Sequence, residues 1–139
     1  MQVFWQPVTG KPDVVVFATG ALVYRSLLAA RELQKEKIGI AVINVASIKP
    51  LDVSAAVRWA TAAGAVVSVE EHQIVGGLGS ALAETFAQNM AHPPVMEFVG
   101  VRDQFGQSGT PDELIEYYGM GVKGIMSATK KAAHRKSGV

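Results

Sequence analysis

Four apolar runs recur along this chain at intervals too long for hairpins and long enough to hold a helix each. They are Val14 to Ala18 (VVVFA), Gly39 to Val45 (GIAVINV), Ala65 to Val69 (AVVSV) and Val95 to Val99. A strand that is apolar at consecutive positions has two faces to cover, which suits a parallel sheet held between helices. The intervening segments supply the covers. Between Ala21 and Glu36, Val23, Leu27, Ala30 and Leu33 fall at helical spacing. After the Lys49-Pro50 turn, Asp52 is placed to cap a second helix, with Val53, Val57 and Ala60 as its apolar stripe. Leu82, Ala83, Phe86, Ala87 and Met90 make the clearest amphipathic helix, which ends before the Pro93-Pro94 break.

The end of the chain is helical too. Thr110, Pro111, Asp112 and Glu113 read as N-cap, N1, N2 and N3 of a capping box. Gly119 or Gly121 stops that short helix, and Val122, Ile125, Met126 and Thr129 share one face of a last helix. Strands joined by helices through right-handed crossovers give one α/β domain over residues 1–139, a three-layer α/β/α sandwich. Ligands of such sheets favour the carboxyl ends of the strands. Here those ends are Thr19-Gly20, Ala46 to Lys49, Glu70 to Gly79 and Gly100 to Ser108.

Composition narrows the class of partner. The 139 residues are 49% hydrophobic and 18% charged, which suits a folded domain able to bury roughly 70% of its unfolded surface. The formal charge is +1, but Lys130, Lys131, Arg135 and Lys136 all lie in the last ten residues, and the body without them carries −3. A body of that balance is a poor phosphate-backbone binder, so nucleic acid is not an expected partner. The basic end reads as the last turn of a helix, favourable at the negative end of its dipole, with a tail that frays from about residue 134. The absence of cysteine removes disulfides, thiolate catalysis and thiolate metal sites. No apolar run approaches the ~20 residues of a membrane span. The expectation is a soluble, cytoplasmic protein.

The candidate site is the stretch Glu70 to Glu84, EEHQIVGGLGSALAE. Gly76, Gly77 and Gly79 can let the backbone approach a bound group while the following helix offers N–H groups to an anion. Glu70, Glu71 and His72 would then serve in acid–base work or ligand contacts. Alternatively, the glycines permit tight strand-to-helix packing and the acids bond backbone amides or a partner chain. Spacing does not choose between these, and the chemistry alone favours the second. GxGxxG fails at Leu82, and GxxxxGK[ST] and GxSxG are absent, so Ser80 reads as support for the first turn of its helix. His72, His92 and His134 have no metal-ligand spacing. Arg102 and Asp103, with Phe105 nearby, are placed either to bind a ligand or to fix their loop. Trp5, Trp59, Tyr117 and Tyr118 read as core or interface residues.

Three segments together resemble one family. EEHQIVGGLGSALAE resembles the EEH-x-x-x-GGLGSA signature of the C-terminal domain of transketolases. VINVASIKPLD (Val42 to Asp52) resembles the family's strand and turn ending in KPLD, and GVRDQFGQSGTPDELIEYYGM (Gly100 to Met120) its G-x-x-D-x-F-G-x-SG segment. The matches cover about residues 13 to 133. The resemblance implies a mixed five-stranded sheet, four parallel strands plus an antiparallel edge strand at Val3 to Trp5. It implies an enzyme that uses thiamine diphosphate and a divalent metal, usually Mg²⁺, to move a two-carbon ketol unit between sugar phosphates. The family holds that cofactor between two other domains, so no catalytic, cofactor-binding or metal residue is expected in this chain. Glu70, Glu71, His72, Gly76, Gly77, Gly79, Ser80, Arg102 and Asp103 remain possible ligand or interface contacts. The implied partners are the remaining transketolase domains or an N-terminal subunit, in a homodimer of the whole enzyme. The resemblance also implies that this domain supports the dimer and offers its strand-end crevice as a regulator site. Alternatives are the equivalent domain of a deoxyxylulose-phosphate synthase or 2-oxo-acid dehydrogenase β subunit, and a stand-alone module that binds a small anionic effector or another subunit.

Overall fold

The computed structural model describes residues 1–8 and 10–138. The elements in chain order are β1 (Gln2–Trp5), β2 (Val14–Ala18), α1 (Leu22–Lys35), β3 (Ile40–Asn44), α2 (Val53–Ala63), β4 (Ala65–Gln73), α3 (Leu78–Asn89), β5 (Val95–Val101), α4 (Pro111–Tyr117) and α5 (Val122–Lys136). The strands lie in the order β1-β3-β2-β4-β5. β1 runs antiparallel to β3, and the other pairs are parallel. The mixed five-stranded sheet implied by the resemblance is present.

Every residue of β2 is buried, as its position at the centre of the sheet requires. Val14, Val16 and Ala18 point into a core shared with α1 and α5. Val15 and Phe17 point the other way, into a core shared with α2 and α3, where the Phe17 and Phe86 ring centroids are 6.4 Å apart. Strand alternation thus divides one apolar run between two helical layers.

Helix ends follow local chemistry. Asp52 accepts the Ala55 N–H at 3.1 Å and so caps α2, and Gly64 closes that helix in the left-handed region at φ 70°. The bond from Ala55 holds the Asp52 carboxyl below its ordinary value. At α4, Thr110 and Glu113 form the reciprocal capping box, with Pro111 at the start of the helix.

Two expectations change. The face α2 buries is Ala55, Ala56, Ala60 and Ala63, while Val53 is exposed and Val57 only half-buried. The buried face is made of small side chains, which a size-weighted reading of the sequence misses. α3 begins at Leu78, inside the glycine turn, and buries Leu78, Gly79, Leu82 and Phe86, leaving Ala87 exposed. Helix α5 runs to Lys136, and of the residues beyond, Val139 lies outside the described ones.

Side-chain bonds hold that end down. Lys136 Nζ donates to the carbonyls of Asp13 and Ala63, each at 3.0 Å. Lys131 and Arg135 reach Glu97 on β5 at 3.0 and 2.6 Å. Burial raises the pKa of Glu97, but the bonds and charges of Arg135 and Lys131 outweigh it, and the carboxyl is held below its ordinary value. Arg135 also donates to the carbonyl of Met96 on this edge strand.

Candidate functional site

The chain leaves β2 for a helix on one face of the sheet and leaves β4 for a helix on the other. This is the switch point at which open α/β sheets form a crevice. The crevice here has a volume of about 300 Å³ and is lined on one side by Thr19, Gly20 and Ala21 and on the other by Glu70, His72 and Gly77.

β4 runs four residues beyond the expected Val69 and carries Glu70, Glu71 and His72 on the strand itself. Alternation turns Glu70 toward α3, where its side chain is 3% exposed. Its two carboxylate oxygens accept the N–H groups of Leu78 and Gly79 at 2.7 and 2.9 Å. Those are first-turn donors that the helix cannot bond itself, at the positive end of its dipole. The carboxylate of Glu70 thus occupies the place where an external anion was considered.

Each glycine of the turn has a separate reason. Gly76 has φ +86°. A Cβ on Gly77 would coincide with the Glu70 carboxylate. A Cβ on Gly79 would stand 2.6 Å from both the Phe98 ring and the Ser68 hydroxyl. The Ser68 hydroxyl is buried with no partner among the described residues. Ser80 does not complete the first turn of its helix. Its hydroxyl accepts the Gly76 N–H at 2.8 Å and donates to the Ile74 carbonyl at 3.2 Å, fastening the loop that precedes the helix.

The remaining candidates diverge. Glu71 and His72 are exposed at the crevice, with His72 Nδ1 2.8 Å from the Gln73 carbonyl and 4.0 Å from Glu70. Arg102 and Asp103 belong to an adjacent groove of about 560 Å³ between the ends of β4 and β5. Arg102 donates to the Phe98 carbonyl, and the Asp103 N–H donates to Gln73 Oε1, each at 3.0 Å. Both contacts fix the loop. Gln73 was not singled out from sequence, because nothing marks a glutamine as a loop clamp until its partner strand is known.

The sequence pattern described as Transketolase, C-terminal domain, matches residues 5–125. The chain belongs to that family. It is 44% identical over 125 residues to the 6-deoxy-6-sulfo-D-fructose transketolase subunit SqwH of Clostridium sp. (strain MSTE9), a match covering 90% of this chain and 38% of that one. It is 33% identical over 126 residues to the 1-deoxy-D-xylulose-5-phosphate synthase of Syntrophotalea carbinolica, covering 91% of this chain and 20% of the synthase. A solved structure described as a split gene transketolase, inactive beta4 tetramer, superposes with a TM-score of 0.85 at 41% identity, covering 92% of this chain and 41% of that one. The transketolase-type domain therefore spans about two fifths of the length of these transketolase relatives.

The crevice of this domain does not fit the thiamine diphosphate that the sequence resemblance implies. A diphosphate needs unoccupied donors, whereas the Leu78 and Gly79 N–H groups are taken by Glu70, and Glu71 adds a second negative charge at the rim. Among the described residues no group of three or more His, Cys, Asp or Glu is placed to hold a metal ion. No described helix is long and apolar enough to cross a membrane.

Proposed function

We propose that this domain is the C-terminal part of a cytoplasmic, thiamine-diphosphate- and Mg²⁺-dependent transketolase that moves a two-carbon ketol unit between sugar phosphates. In this reading it supplies structure and subunit contacts, and it does not perform the chemistry alone. The carrying observation is Glu70, which neutralises the N-terminus of α3 from within and leaves the strand-end crevice without a cradle for an anion. The remaining domains, in the same chain or a partner subunit, hold the cofactor, and the whole enzyme is a homodimer. The 33% identity to a 1-deoxy-D-xylulose-5-phosphate synthase over 126 residues makes that enzyme the second reading.

Two measurements test this. Calorimetric titration of the domain with thiamine diphosphate and Mg²⁺ is expected to show no binding, and micromolar affinity would overturn the division of roles. Ketol transfer from a ketose phosphate to an aldose phosphate is expected only after the domain is combined with the preceding transketolase domains. Decarboxylation of pyruvate by that combination, without ketol transfer, would favour the synthase reading.

A further inference from the structure

Two large apolar side chains stand in solvent at the carboxyl end of the sheet: Phe105 is 94% exposed and Val75 is 85% exposed. Isolated exposed apolar residues are ordinary, but these two sit on loops that are fastened on both sides. The Phe105 carbonyl accepts the Tyr118 hydroxyl at 2.9 Å, and that hydroxyl accepts the Gln107 N–H at 3.0 Å. Before Val75, the Ile74 N–H donates to the Val101 carbonyl at 3.0 Å, and after it the Gly76 N–H is held by Ser80. The 560 Å³ groove lies beside Val75 and ends at Asp103, two residues before Phe105. The loops hold two apolar tips in water around a groove, and neither tip packs within the domain.

The path of the chain indicates what covers them. Because β1 is antiparallel to its neighbour, Gln2 pairs with Asn44 at the carboxyl end of β3, and the Met1 amino group lies 3.5 Å from Asp52. Any polypeptide joined before residue 1 departs from the same end of the sheet as Val75 and Phe105. Four inter-strand steps from β1 to β5 make about 19 Å. In the Clostridium relative, 125 matched residues are 38% of the chain, which leaves about 200 more. A folded unit of that size has a radius of gyration of about 16 Å, wide enough to lie over the whole end of the sheet.

We infer that Val75, Phe105 and the groove beside them are the docking surface for the preceding transketolase domain, in the same chain or a separate subunit. That domain presents an apolar recess to the Phe105 ring. The inference rests on the transketolase reading above.

The test mixes this chain with the polypeptide carrying the preceding transketolase domains of the same organism and measures binding by calorimetry and sedimentation. Phe105→Ser and Val75→Ser alter only exposed side chains, and thermal melting checks that each variant folds. Val8→Ser, at an 89% exposed position on the loop after β1 at the opposite end of the sheet, is the control. Each rim substitution is expected to weaken binding about tenfold or more, and the control by no more than about twofold. Unchanged binding by the rim variants, with the wild type still bound, places the docking surface elsewhere and leaves the transketolase reading standing. A wild-type dimer that forms without the partner and is dissolved by Phe105→Ser makes a second copy the occupant and overturns the inference. Failure of the wild-type chain to bind the preceding domains sinks the transketolase reading itself.

Discussion

Glu70 is 2% exposed, yet its charge is met by two backbone N–H groups and the start of a helix rather than by a cation. Removing the carboxylate leaves both donors buried without a partner. Glu70→Ala is expected to cost about 2–3 kcal/mol in urea unfolding, with Glu70→Gln in between because the amide keeps one acceptor oxygen. A loss below about 0.5 kcal/mol for the alanine variant would mean that water replaces the cap. Gly77→Ala drives a methyl group into the same carboxylate and is expected to cost about 2 kcal/mol. The two substitutions share one contact, so Gly77→Ala should cost less in the Glu70→Ala background. Additive effects would separate the glycine from the carboxylate.

At the scale of elements, α5 is fastened to the edge strand β5 through Glu97, whose side chain is 9% exposed. The folded state binds its proton less readily than the unfolded chain, for which the ordinary value is 4.5. Its stabilisation is therefore fully present above pH 4.5 and is lost as the pH falls through the lower folded value. Glu97→Gln is expected to cost about 1–2 kcal/mol at neutral pH. The Lys131 and Arg135 heads are about half exposed, which keeps the effect below that of a fully buried pair. The gap between the variant and the wild type should narrow as the pH falls below 4.5, read from urea midpoints across the range. A constant gap would locate the effect in packing rather than charge. The same helix end shows the limit of reading a basic tail by composition: Lys136 bonds carbonyls from two other segments, which no local pattern announces.

At the scale of the molecule, an antiparallel β1 on an otherwise parallel sheet returns the beginning of the chain to the end of the sheet where the crevice and groove lie. That single reversal places residue 1, the fastened loops and the exposed Phe105 at one end of the fold. In the proposed reading the domain is a structural unit whose partner docks at that face. The absence of thiamine diphosphate binding by the isolated domain and the loss of docking in the rim variants test this at molecular scale.

Much of this was legible in the residues. The apolar run Val14 to Ala18 specified a strand covered on both faces, and Thr110 with Glu113 specified a helix start, because burial and capping are local in sequence. The three segments that resemble transketolase identified the family, although the position of β1 came from that resemblance and not from periodicity. For Glu70 to Gly79, the sequence supplied the residue types and left two readings open. The tertiary structure chose, because only strand alternation across β4 and the start of α3 at Leu78 aim the Glu70 carboxylate at the Leu78 and Gly79 N–H groups. Sequence determined which groups were present and which helices and strands they favoured. Which acid met which donor, and which apolar residues stayed in water, was decided by contacts between segments far apart in the chain.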